Sequence, residues 1–158
     1  MNQISKLTLT LVACLGVAGA STVAVNTAPV MPVVQAASSE NLALANRNIA
    51  DYLADCQQYE SSNKQFRGFT SIKQITYTNR HTIRVDVNAE LFQLSKARRT
   101  LLIDTMQNGV IGTLMDNGLA NFSQTAIQKG CKTMIYLNGH VIGRSAAHNY
   151  RQINWNKS

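Results

Sequence analysis

The stretch from Lys132 to Ser145 reads KTMIYLNGHVIGRS and decides how the chain folds. Asn138-Gly139 is a strong two-residue hairpin signal, because a type I′ turn needs positive φ at both central positions. KTMIYL before it and HVIGRS after it then read as paired antiparallel strands. On the return strand His140, Ile142 and Arg144 share one side, and Val141, Gly143 and Ser145 share the other. His140 and Ser145 therefore point apart, so they cannot act as base and nucleophile. Gly143-Arg144-Ser145-Ala146 also lacks the glycines of a hydrolase serine elbow. His148 lies beyond the strand in a polar stretch that assigns it no role.

Working outward, Cys131 immediately precedes this hairpin. Leu119 to Lys129 (LANFSQTAIQK) reads either as a short helix closed by Gly130 or as an extended loop. Before it, Ser95 caps a helix whose inner stripe is Leu102 or Ile103, Met106, Val110 and Leu114. Gly118 fits its left-handed stop. Gly109 and Gly112 lie inside that helix, where each costs about 1 kcal/mol relative to Ala. Their spacing is expected to reflect close packing on the sheet or a kink.

His81 to Leu91 (HTIRVDVNAEL) alternates apolar and polar residues and reads as a strand with one wet face. Phe69 to Thr78 is its hairpin partner across Asn79-Arg80. A first helix starts at Ser38-Ser39-Glu40, buries Leu42, Ala45, Ile49, Tyr52 or Leu53, and Cys56, and ends near Tyr59. The expected fold class is therefore α+β: a two-layer sandwich of order α-β-β-α-(α)-β-β. It has an antiparallel sheet of four to five strands, counting a last strand within Asn149 to Trp155, and helices on one face. Cystatin-like and nuclear-transport-factor-like folds also place a helix before antiparallel strands, but neither is matched in sequence motif, and the Gln-x-Val-x-Gly loop that carries inhibition in cystatins is absent.

The N-terminal part reads differently. Met1 to Lys6 carries one positive charge, Leu7 to Val25 is an apolar run, and Val34-Gln35-Ala36 fits a cleavage site. That order is the signature of a secretory signal spanning residues 1–36, followed by one domain over 37–158. Ala18-Gly19-Ala20 is a second cleavage candidate. The long leader resembles those of proteins exported by Gram-positive bacteria. Two alternatives remain open: a membrane anchor through residues 7–25, or a lipoprotein modified at Cys14. The expected location is secreted or cell surface.

Removing the leader removes only Lys6 among the 15 Lys and Arg and 8 Asp and Glu, so the net charge falls from +7 to +6. Such a balance favours anionic partners. Arg84, Lys96, Arg98 and Arg99 are the candidate anion-binding surface, for an anionic cell-wall polymer or another exported protein. Aromatics are not interleaved with these charges, so nucleic acid is not the expected partner. Cys56 and Cys131 are the two cysteines left after the leader, and an even count in an exported chain points to a disulfide between them. No cofactor motif, metal-ligand spacing or acid–base pair stands out; Asp86 and Glu90 are too far apart on a strand to work on one bond. The function expected from these residues is an exported, non-catalytic domain that binds the envelope or another protein. The alternative is a small secreted hydrolase whose site is assembled from residues distant in sequence.

Overall fold

A computed structural model describes residues 39–79 and 82–156. Residues 1–38, which include the expected leader, Arg80 of the expected Asn79-Arg80 turn, His81, and residues 157–158 lie outside them. Helix α1 (Ser39–Gln58) buries Ala45, Ile49, Leu53 and Cys56, the three- and four-residue stripe read from the sequence. Two short 3-10 turns lead to strand β1 (Ile72–Asn79), which pairs antiparallel with β2 (Thr82–Val87). The alternation in β2 holds: Ile83, Val85 and Val87 are buried, while Arg84 is exposed.

The strand is shorter than its pattern. The Asn88 side chain accepts the Glu90 N–H at 2.9 Å and starts a 3-10 turn over Ala89–Gln93. Leu91 is still fully buried, but by that turn, so the apolar alternation outlasts the strand.

Helix α2 (Lys96–Asp116) is capped by Ser95, whose Oγ accepts the Arg98 N–H at 3.2 Å. Gly118 follows with φ +65, as a left-handed stop requires. The ambiguous segment after it contains a helix, α3 (Gln124–Lys129), capped by Ser123. Strands β3 (Lys132–Leu137) and β4 (His140–Ser145) form the expected hairpin. Asn138 and Gly139 between them have φ 50 and 82, as a type I′ turn demands. A short β5 (Ile153–Trp155) completes a five-stranded sheet of order β1-β2-β3-β4-β5.

The fold is α+β with helices on one face, and one junction differs from an all-antiparallel sheet. Strands β2 and β3 run parallel, from Thr82 beside Lys132 to Val87 beside Leu137. The cause is the crossover. Helix α2 carries the chain back along the sheet, so β3 starts at the end where β2 started.

The core lies between the helices and the inner sheet face, where Ile75, Tyr77, Ile83, Val85 and Ile135 meet Leu102, Ile103, Met106 and Val110. Gly109 faces α1 and not the sheet. A Cβ there would lie 2.0 Å from Cζ of Tyr52, so the two helices approach closely only because this position is glycine. Gly112 has nothing within 4 Å and needs no such explanation.

Candidate functional site

The four basic residues singled out in the sequence do not form one surface. Arg84 lies on the outer face of the sheet. Its guanidinium grips Asp86 with two hydrogen bonds of 2.7 Å and stacks 4.0 Å from the centre of the Tyr136 ring. The bond to Asp86 raises the Arg84 pKa further, so it stays charged at any working pH. Arg98 is in the helix layer and is committed to structure. It donates to the carbonyls of Lys64, Gln65 and Arg67, closing the loop after α1. Partial burial and the nearby Arg67 charge lower its pKa. Arg99 stacks between Phe92, at 5.4 Å, and Trp155, at 5.1 Å. Lys96 is exposed in the first turn of α2.

Groups that could perform chemistry are similarly engaged. Ser145 Oγ accepts the Thr133 N–H at 2.8 Å and donates to the Tyr150 carbonyl at 2.9 Å. That carbonyl also accepts from Gln107, which donates to the Thr133 hydroxyl as well, each at 2.9 Å. The serine thus belongs to a structural network beneath the sheet. His140 and His148 are both exposed. Asp86 is held by Arg84, and Glu90 sits in the 3-10 turn beyond β2. Among the described residues no group of three or more His, Cys, Asp or Glu is placed to hold a metal ion.

The expected disulfide is not formed. Cys56 and Cys131 are both free and buried. The reason is the parallel crossover. Cys56 is next to Gln57, which bonds the Ile72 carbonyl at 2.8 Å, at the sheet end where β2 finishes. Cys131 precedes β3 at the opposite end, and β3 is two strands away from β1. The strand length alone separates these ends by about 16 Å. A disulfide needs Cα atoms within about 7 Å. Burial pushes the Cys131 thiol up to about 12, and burial likewise raises Cys56, so neither is a ready nucleophile.

Two of the open surfaces among the described residues bear on function. The first is the outer sheet face. Thr76, Arg84, Met134, Arg144 and Asn154 are register partners and form one row across all five strands. Gln74, Asp86 and Tyr136 make a second row. Lys132, opposite Thr82, adds a further exposed cation. Among the described residues no ion pair occupies Lys132 or Arg144.

The second is a groove of about 470 Å³ between α1 and the edge of the sheet, lined by Asn46, Ala50, Ala54, Gln57, Lys73 and Ile75 among others. Asn46 accepts the Tyr77 N–H at 2.7 Å and donates to the Tyr77 carbonyl at 2.9 Å. Gln57 donates to the Ile72 carbonyl. Neither residue stands out in the sequence. Their only signal is a spacing of three helical turns beside the apolar stripe. Set against known proteins, this chain matches no family model, no curated protein and no solved structure.

Proposed function

We propose that this chain is an exported, non-catalytic domain whose open sheet face binds an anionic polymer of the cell envelope. One observation carries the reading: the row of register partners in which Arg84 and Arg144 flank Met134. Strands lie about 4.8 Å apart, so these two guanidinium-bearing positions are separated by about 10 Å across the sheet. Such spacing suits a chain with regularly repeated negative charge. Tyr136 beneath Arg84 offers an aromatic surface beside the charges. The mature charge of +6 favours the same partner. The engagement of Ser145 and the burial of both thiols favour binding over hydrolysis. Among the described residues no helix is long and apolar enough to cross a membrane. Export rests on the order of charge, apolar run and Val34-Gln35-Ala36 in the leader.

The test uses protein recovered from culture medium, whose intact mass should begin at Ala37. It is titrated with a phosphodiester polymer and with a neutral polysaccharide of similar length. Binding should be confined to the polyanion and fall steeply from low to physiological salt, as contacts between exposed charges do. The double variant Lys132→Glu with Arg144→Glu should lose it while keeping its unfolding midpoint. Binding that ignores both salt and charge reversal would overturn the reading.

A further inference from the structure

The groove beside α1 exposes part of a strand that the helix otherwise covers. In an antiparallel pair, residues alternate between those that exchange hydrogen bonds with the partner strand and those whose N–H and C=O point away. Asn46 takes both backbone groups of Tyr77, so Tyr77 points away from β2. Ile75 is two residues earlier, with no register shift between Ile75 and Tyr77, and it points the same way. Its N–H and C=O therefore face the groove, and no described side chain reaches them.

The two flanks are closed. Asn46 and Gln57 are eleven residues apart, about 16 Å along the helix. Ile72 and Tyr77, which they bond, are about 16 Å apart along the strand. Helix and edge strand therefore run antiparallel and in step, with Asn46 and Gln57 as clamps at either end of the opening. Between the clamps α1 presents Ala50 and Ala54, both exposed and too short to fill the space.

From this geometry we infer that the groove binds the end of a short extended peptide, which adds to β1 at Ile75. A backbone donor and acceptor side by side at a strand edge are matched by the reciprocal pair of another extended backbone. The clamps stop a longer strand from running through, because Asn46 already holds the next outward pair at Tyr77. A second copy of this chain could not zip along the edge for the same reason. The occupant is thus a chain end of two or three residues, and a volume of about 470 Å³ lies within the usual range for small-ligand sites. Lys73 is exposed at the Ile72 end of the opening, where β1 bulges, and it selects a C-terminal carboxylate there. The peptide then lies antiparallel to β1.

The experiment titrates isotope-labelled protein with acetyl-Val-Thr-Val, once as the free acid and once as the C-terminal amide. The free acid should shift the Ile75 amide resonance most and slow its hydrogen exchange. The amide probe, or the variant Lys73→Ala, should bind at least about tenfold more weakly, since a charge-assisted contact is lost. Ala54→Trp should abolish binding by filling the groove. Should it disturb folding, Ala50→Leu, also at an exposed helix position, fills the same space more gently. Arg144→Glu should leave peptide binding unchanged, which separates this site from the sheet face. No response of Ile75 at millimolar probe would overturn the proposal. So would binding that survives both groove-filling variants, or shifts centred on Arg84 and Tyr136 instead.

Discussion

Ile135 and Met134 are neighbours on β3 and live in different surroundings. Ile135 is fully buried in the core, and Met134 lies on the open face between Arg84 and Arg144. The same division runs across the whole sheet. Inside, apolar side chains close the core, and the buried polar groups Thr133 and Gln107 bond each other. Outside, the side chains are Arg84, Asp86, Lys132, Tyr136 and Arg144, with water on one side. Stability is concentrated on one face, which leaves the other free to vary in sequence without unfolding the protein. Truncating each neighbour tests this most severely. Ile135→Ala should cost about 2–5 kcal/mol, because it removes buried methyl groups and leaves a cavity. Met134→Ala should cost under about 1 kcal/mol, as substitutions away from the core do. Urea unfolding midpoints measure both, and equal losses would break the contrast.

Helix α2 carries a smaller version of the same contrast in its two glycines. Gly109→Ala drives a methyl group into the Tyr52 ring and should destabilise by about 1–3 kcal/mol, the usual cost of overpacking. Gly112→Ala meets nothing and should stabilise by about 0.5–1 kcal/mol through lower backbone entropy in the unfolded chain. A double-mutant cycle sharpens the point. With Tyr52→Ala in the background, the cost of Gly109→Ala should shrink, because the two residues share one contact. A cost unchanged by that background would mean that the tyrosine is not what requires glycine here.

Much of this fold is written locally. The α1 stripe, the Ser95 cap, the Gly118 stop and the Asn138-Gly139 turn each follow from a few adjacent residues, and each is where the pattern placed it. What was not legible depends on partners. A strand alternates with period two whether its neighbour runs parallel or antiparallel, so the β2–β3 junction left no mark on either strand. That junction in turn put Cys56 and Cys131 at opposite ends of the sheet, which no count of cysteines can reveal. Arg98 is similar: its basic position in the first turn of α2 opposes the helix dipole. The loop carbonyls that satisfy it come from residues more than thirty positions away. Asn46 and Gln57 do not stand out in the sequence because a carboxamide on a helix usually meets only water. Their role appears once β1 is laid beside them.

Glu60 gives the mildest test, at the rim where the two environments meet. It follows α1 and is partly buried. One carboxylate oxygen accepts the Gly68 N–H at 2.7 Å, and the other accepts the Thr70 N–H at 2.8 Å. Gly68 has φ +99, a conformation that glycine adopts freely. Burial by itself would push this carboxyl up. The two backbone donors, the Thr70 hydroxyl and the Arg98 charge outweigh it, so the group titrates below the ordinary glutamate range. A carboxyl depressed in the folded state stabilises it at every pH above the unfolded value, about 4.3 for Glu. That contribution is lost as the pH falls through the lower, folded value. Glu60→Gln keeps the shape but carries no charge, and only one of its two terminal atoms can accept a hydrogen bond. The variant should therefore be slightly less stable than the wild type at pH 7. Between about pH 5 and 3 its unfolding midpoint should fall less steeply, so that the two proteins converge in acid. Parallel midpoint curves over that range would mean that Glu60 is not the carboxylate through which acid opens the loop after α1.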